Sequence, residues 1–225
     1  MKKIINNILL KLIYWNVDLV IWDFDETFYF SKKCLKISRH VFLLLFIKNE
    51  INNTLVFSDL LNIFREKEKK QYWFEIVAES LKKTNHEVMC LAENIIKKEN
   101  YINKNLNLTL FFAQSKKQHI ILTNSSTEGT KKVLLKLGFK NFDDFLDIIG
   151  IDKSVSPKPS IQTLQDIFVK YSVRPEKCLM IGDSLRSDIE PAQKLGMKTI
   201  LVKNEKKNLN LFCVESVNVL TKVLS

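Results

Sequence analysis

The sequence lacks any pair of cysteines at the spacing of a metal-binding or redox motif. Its four cysteines lie far apart, and no CxxC occurs among the 225 residues. They are Cys34, Cys90, Cys178 and Cys213. The three histidines also show no ligand spacing. In a chain of this size, isolated cysteines indicate reduced, mostly buried thiols, so we expect a cytoplasmic protein.

The sequence also lacks a run of apolar residues that could cross a bilayer. The run VFLLLFI at 41–47 is too short. The start, MKKIINNILLKLIYW, places lysines before an apolar stretch, but polar residues interrupt it and no small-residue cleavage site follows. Its apolar residues recur at helical spacing, which predicts an amphipathic helix packed on the domain. We expect no stable membrane insertion, while peripheral contact through this helix stays an alternative.

A concentrated basic segment is missing as well, although the net charge is +10. The lysines are scattered, and the densest runs, REKEKK at 65–70 and KNEKK at 203–207, mix both signs as solvated faces do. We therefore expect no nucleic-acid partner. A hydrophobic content of 46% indicates a globular core, and the positive charge favours anionic small substrates.

Short apolar runs alternate with helical patterns along the chain, and helices are predicted at 127–138, where Gly138 closes the helix, at 161–171 and at 187–196. Alternating strands and helices predict a doubly wound parallel sheet, a Rossmann-like α/β fold. A short edge strand and a final helix follow the last of the runs. The predicted strands are VDLVIWD (17–23), HIILT (119–123), DIIGI (147–151), KCLMIGD (177–183), KTILV (198–202) and the edge strand LFCV (211–214).

One long interval interrupts this alternation. Residues 28–122 are too many for a strand-to-helix crossover and too periodic for a loop. We interpret 28–108 as a helical cap inserted after the first strand, and 1–27 with 109–225 as the α/β core. The aromatic cluster at 72–74 is interpreted as core of this insertion.

Polar residues lie at or just after the carboxyl ends of the predicted strands, the edge where parallel sheets bind ligands. They are Asp23, Asp25 and Glu26 after the first strand, Thr123 and Asn124 after the second, Lys158 after the third, and Asp183 and Asp188 after the fourth. Converging carboxylates repel one another unless a hard cation lies between them, and Mg²⁺ prefers such ligands. A carboxylate in line with phosphorus can attack it, while a lysine and hydroxyls hold the transferring group.

These residues stand in the order of four family motifs. DFDET matches DxDxT, Thr123 lies in ILTNSS, Lys158 lies in SPKPS, and GDSLRSD at 182–188 matches GDxxxxD. From about residue 17 to its end, apart from the insertion, the sequence resembles the haloacid dehalogenase-like (HAD) hydrolase superfamily. The insertion resembles the C1 cap of its phosphoglycolate phosphatase-like and nucleotidase-like subgroup.

The resemblance implies a role for each matching position. Asp23 would be the nucleophile and Asp25 the general acid/base. Mg²⁺ would be held by the Asp23 carboxylate, the Asp25 backbone carbonyl and Asp183. Asp188 would be a partner behind these ligands that positions metal-bound water or the lysine. Thr123, the Asn124 backbone and Lys158 would bind the phosphate.

The resemblance predicts a Mg²⁺-dependent phosphatase that hydrolyses a small phosphorylated metabolite through a phosphoaspartate. Dehalogenases and phosphonatases resemble this sequence but lack an acid at the position of Asp25, so its presence favours phosphate esters. A nucleoside monophosphate or a phosphoglycolate-like acid is favoured by analogy. A phosphotransferase or mutase using the same intermediate, an acyl-carrier-loading HAD domain and a non-catalytic basic binding domain stay open alternatives.

Individual positions have structural alternatives too. Thr123 could cap the following helix, Asp188 could be the acidic residue of a helix N-terminus, and Lys153 lies near Lys158. Glu26 has no expected role beyond the local turn. The sequence does not define the oligomeric state or the substrate.

Overall fold

The structure, a computed structural model, describes residues 2–51, 56–202 and 212–224. Within them, one parallel sheet has six strands in the order β3-β2-β1-β4-β5-β6. The predicted doubly wound α/β architecture is confirmed. The strands are β1 (Leu19–Trp22), β2 (Gln118–Leu122), β3 (Asp147–Ile149), β4 (Cys178–Gly182), β5 (Lys198–Val202) and β6 (Cys213–Val214).

The central strands are continuous apolar runs because helices cover both faces of the sheet. Every residue of β1 and β4 is buried. At the carboxyl end of β1, Trp22 pairs with Ile121 of β2 and Ile181 of β4. The loops after these three strands therefore leave the sheet at the same level, which brings the predicted site residues to one edge.

Helices occupy most of the remaining described chain. They are α1 (Lys2–Trp15), α2 (Lys32–Glu50), α3 (Phe57–Lys67), α4 (Trp73–Leu81), α5 (Asn85–Ile96), α6 (Leu106–Gln114), α7 (Thr127–Leu137), α8 (Gln162–Lys170), α9 (Glu190–Lys194) and α10 (Val217–Leu224). The predicted helix that Gly138 closes is confirmed, since Gly138 ends α7 with a φ of 112°. None of the described helices is long and apolar enough to cross a bilayer.

Two predicted elements differ in detail. The helix predicted at 187–196 begins as a π-helical turn, Leu185–Ile189, and continues as α9, with Pro191 in the first turn of α9. A proline has no backbone N–H to donate, so this position suits the start of a new helix. The edge strand is shorter than predicted, and Leu211, like the run 203–207, lies outside the described residues.

The chain divides into two compact units. One is Ser31–Ile102, and the other comprises Met1–Phe30 and Asn103–Ser225. These bounds lie inside the predicted 28–108. Ser31 caps α2 by accepting a hydrogen bond from the backbone N of Cys34, so the inserted unit starts with this helix. At the other end, α6 belongs to the α/β unit, where it packs against α10.

Candidate active site

The first residues after β1 and β2 continue the hydrogen bonding of the sheet into the site. The backbone N of Asp23 donates to the Ile181 carbonyl at 2.8 Å, and the backbone N of Thr123 donates to the Ile149 carbonyl at 3.0 Å. Asp23 and Thr123 are therefore fixed by the sheet itself. Both are buried. A buried carboxylate this close to an apolar strand requires compensating groups.

Lys158 supplies one such group. Its Nζ lies 2.5 Å from Asp23 Oδ1 and 2.6 Å from Asp188 Oδ1, and all three side chains are at most 8% exposed. Burial opposes the charge of the lysine, but Asp188 and then Asp23 raise the pKa of Lys158, so it is a cation at neutral pH. The alternative lysine, Lys153, instead donates to the Ile148 carbonyl.

Three carboxylates converge beside this lysine. Oxygens of Asp23, Asp183 and Asp188 lie within 4.8 Å of one another. Burial first, then the charges of Asp23 and Asp188, raises the pKa of Asp183 to about 8. Burial also raises the pKa of Asp23 to about 6, although Lys158 opposes the shift. Hard oxygen ligands crowded in this way fit Mg²⁺, which would relieve their repulsion.

Gly182 allows Asp188 to enter this cluster. A Cβ added to Gly182 would lie between 2.4 and 2.6 Å from three atoms of the Asp188 side chain. The backbone N of Ser184 also donates to Asp188 Oδ2 at 3.0 Å. The glycine of the GDxxxxD motif is thus required by the close approach of the aspartate that ends it.

Each aspartate of DFDET is held by a hydroxyl. Thr27 Oγ1 donates to Asp23 Oδ2 at 2.8 Å. The Tyr29 hydroxyl donates to Asp25 Oδ1, and Ser125 Oγ donates to Asp25 Oδ2. The Asp25 carboxylate therefore faces two hydroxyls, whereas the convergent set of acids consists of Asp23, Asp183 and Asp188.

Two of the predicted phosphate-binding residues, Thr123 and Asn124, follow β2 directly, and Lys158 lies in the loop after β3. Thr123 Oγ1 accepts a hydrogen bond from the backbone N of Ser125 at 3.1 Å. The Asn124 side chain pairs with the backbone of Lys158 in both directions. Its Nδ2 donates to the Lys158 carbonyl at 3.0 Å, and its Oδ1 accepts from the Lys158 N at 2.9 Å. This pair joins the loop after β2 to the one that carries the lysine.

Sequence reasoning missed Tyr29, and it placed Ser125 at the ligand edge after the second strand without a role. The available signal was spacing, since Tyr29 follows Asp25 by the same four positions as Thr27 follows Asp23. Glu26 has a φ of 62°, in the left-handed region that favours glycine. Its position in the turn is therefore strained, and its carboxylate also contributes to the raised pKa of Asp183.

The site and fold agree with a comparison against protein families. Residues 17–196 match the family of haloacid dehalogenase-like hydrolases. Because this match extends over most of the 225 residues, the chain belongs to that family.

Individual curated relatives match only part of the chain. The chain is 25% identical over 131 residues to a glyceraldehyde 3-phosphate phosphatase of Methanothermobacter thermautotrophicus, covering 53% of this chain and 57% of that protein. The alignments to two further curated relatives span 34% and 40% of their lengths. The chain thus spans about half the length, or less, of the curated relatives it matches.

Solved structures share the fold across nearly the whole chain. An HAD phosphatase from Thermococcus onnurineus is similar with a TM-score of 0.65 at 15% identity, covering 92% of this chain and 98% of that one. The HAD-hydrolase YfnB from Bacillus subtilis, a structure with bound magnesium, has a TM-score of 0.60 at 19% identity, with 93% and 99% covered.

Proposed function

We propose that the protein is a Mg²⁺-dependent phosphatase that hydrolyses a small phosphorylated metabolite through a phosphoaspartate on Asp23. The observation that carries this proposal is the buried group of Asp23, Lys158 and Asp188 at the carboxyl edge of the sheet, with the half-buried Asp183 beside it. Membership of the hydrolase family and the phosphatases among the relatives support it.

In the proposed reaction, an oxygen of Asp23 forms a bond to phosphorus as the bond to the leaving oxygen breaks. Thr27 and Lys158 contact opposite oxygens of the Asp23 carboxylate, so its direction of attack is defined before substrate binds. Lys158 also supplies positive charge for the phosphoryl oxygens, and Thr123 and the backbone of Asn124 would contribute further donors.

Asp25 would move the protons. It would protonate the leaving oxygen, and then take a proton from the water that attacks the phosphoaspartate. Water attack at phosphorus releases phosphate and restores the Asp23 carboxylate. A bound Mg²⁺ would neutralise charge on the phosphoryl oxygens. Its ligands would be the Asp23 carboxylate, the Asp25 carbonyl and Asp183, with Asp188 behind them.

The chemistry of the site and the names of the relatives support the proposed substrate class. A buried lysine beside a metal-binding set suits a phosphate monoester, and one relative is named for glyceraldehyde 3-phosphate. We further propose that the helical insertion, predicted at 28–108, acts as a C1-type cap that selects the substrate. Activity against a panel of sugar phosphates, nucleotides and short phospho-acids would identify the substrate through kcat/KM.

The test uses p-nitrophenyl phosphate with Mg²⁺. We expect hydrolysis by the wild type and loss of activity in Asp23→Asn, because the amide cannot attack phosphorus. Borohydride reduces an acyl phosphate, so the peptide containing residue 23 should contain homoserine after trapping. Activity that survives in Asp23→Asn would show that the mechanism is wrong.

Asp25→Asn provides the matched control. Nitrophenolate leaves without a proton, so this variant should still form the phosphoaspartate but fail to activate water. The trapped species should therefore accumulate in Asp25→Asn and be absent from Asp23→Asn. Rapid transfer of the group to a sugar phosphate rather than to water would instead identify a phosphotransferase.

A further inference from the structure

We propose that Tyr29, with Ser125, positions the Asp25 carboxylate for proton transfer, so that the functional motif in this chain is DFDETFY rather than DFDET. The inference rests on the proposed phosphatase function and deepens it. Tyr29 and Ser125 would be positioning residues, because they contact Asp25 and not the reacting atoms.

The geometry constrains both oxygens of the Asp25 carboxylate. The Tyr29 hydroxyl donates to Oδ1 and Ser125 Oγ donates to Oδ2. Tyr29 comes from the turn after β1 and Ser125 from the loop after β2, so the two hydroxyls hold the carboxylate from separate segments. A single hydrogen bond leaves an aspartate able to rotate, whereas two donors on two oxygens define its orientation.

The turn itself holds the Tyr29 side chain in place. An isolated β-bridge joins Asp25 and Tyr29, and the backbone N of Phe28 donates to the Phe24 carbonyl at 2.9 Å. The Tyr29 ring contacts the ring of Phe24 nearly edge-on, with centroids 5.8 Å apart. Because Phe24 is buried, packing of the ring determines where the hydroxyl lies. A phenylalanine at position 29 would keep this packing and remove only the hydroxyl.

Hydroxyls suit a residue that must act as both acid and base. A serine or tyrosine hydroxyl donates to an ionised carboxylate and can accept from a protonated one, so both contacts persist through the cycle. As the bond from phosphorus to the leaving oxygen breaks, its electron pair stays on that oxygen and Asp25 gives it a proton. The benefit of correct positioning therefore grows with the basicity of the leaving oxygen.

The first experiment compares wild type and Tyr29→Phe on a series of substituted phenyl phosphates. We expect kcat/KM for p-nitrophenyl phosphate to change by less than about threefold, and that for unsubstituted phenyl phosphate to fall about tenfold or more. The plot of log kcat/KM against leaving-group pKa should become steeper, and Ser125→Ala should steepen it too. An equal loss across the series, or no loss, would overturn the proposal.

The second experiment measures the contact between Tyr29 and Asp25 through protein stability rather than through catalysis. A double-mutant cycle of Tyr29→Phe with Asp25→Ala should show coupling of about fivefold or more in the unfolding equilibrium constant. Tyr171→Phe with Asp25→Ala is the matched control, because Tyr171 hydrogen bonds to Asp147 instead. Absence of coupling between Tyr29 and Asp25 would overturn the positioning. If Tyr29 and Asp25 are coupled but the wild-type protein hydrolyses no phosphate ester, the proposed function is overturned, and with it the role in proton transfer.

Discussion

At the scale of single residues, the side chains proposed to be reactive are held by neighbouring hydroxyl and amide groups. Thr27, Tyr29 and Ser125 donate hydrogen bonds to the aspartates, and Asn124 pairs with the backbone of Lys158. Lys158 must in turn reach two acids at once. Such contacts matter because a displacement of about 1 Å at a reacting group can cost roughly a hundredfold in rate.

We predict that Asn124→Leu lowers kcat/KM about tenfold or more, because the Lys158 backbone loses both hydrogen bonds to the amide. Asn124→Asp should have a smaller effect through this contact, since it keeps the acceptor for the Lys158 N. Steady-state kinetics on p-nitrophenyl phosphate would measure both variants. Wild-type kinetics in Asn124→Leu would contradict a positioning role for the amide.

At the scale of elements, the end of β3 meets the start of α7 with no room for a side chain. A Cβ on Gly150 would lie 2.3 Å from the Thr127 N and 2.7 Å from the Ser125 carbonyl oxygen. Both are backbone atoms, so neither can move without shifting its loop. The Gly150 N also donates to Thr127 Oγ1 at 3.2 Å, which ties the strand to the helix.

We therefore predict that Gly150→Ala lowers the free energy of unfolding by about 3 kcal/mol, as overpacking against fixed atoms does. Gly196→Ala is the control. Its φ of 82° strains an alanine, but no atom lies within 4 Å of the added Cβ, so we expect a loss of only about 1 kcal/mol. Denaturant unfolding would compare the two. Equal losses would mean that the close approach at Gly150 is relieved by small shifts.

At the scale of the whole molecule, a partly buried chain of polar side chains links the first helix, the sheet and the segment before β2. Trp22 Nε1 donates to His119 Nδ1 at 3.0 Å, and His119 Nε2 lies 2.7 Å from Ser115 Oγ, which contacts the Tyr14 hydroxyl. Since Nδ1 accepts, the proton of the neutral ring is on Nε2. Burial, with a smaller contribution from Lys117, lowers the pKa of His119 to about 3.

This shift predicts a loss of stability in acid. The unfolded chain takes up a proton at His119 below its ordinary pKa of 6.5, but the folded protein does not until about 3. The contribution of neutral His119 to the free energy of unfolding is complete above pH 6.5 and decreases as the pH falls toward 3. Its slope is about 1.4 kcal/mol per pH unit in that interval.

Comparison with His119→Gln isolates this contribution. The difference in unfolding free energy between wild type and variant should shrink by about 2 kcal/mol between pH 7 and pH 5. His86→Gln, at an exposed position of the inserted unit, controls for the loss of a histidine. A difference that stays constant with pH would contradict a neutral, buried His119.

The positions of the strands and the shared edge of the site could be predicted from the sequence because they depend on local patterns, whereas the order of the strands in the sheet comes only from the structure. Apolar runs such as that of β1 favour buried parallel strands whatever their partners, and such strands place the residues that follow them at one edge. The motif spacing then indicated the aspartates, Thr123 and Lys158 as candidate site residues. The bounds of the insertion were less predictable, because whether α6 belongs to it depends on its packing against α10.

By itself, then, the sequence determined the fold class, the family and the edge at which the candidate site residues gather. Only the tertiary structure decided which groups hold those side chains. Residues far apart in the chain meet there: Ser125 reaches Asp25, Asn124 reaches the Lys158 backbone, and Lys158 bridges Asp23 and Asp188. The physical reason is that a hydrogen bond depends on distances of a few tenths of an ångström, which the packing of whole elements sets and local sequence patterns do not encode.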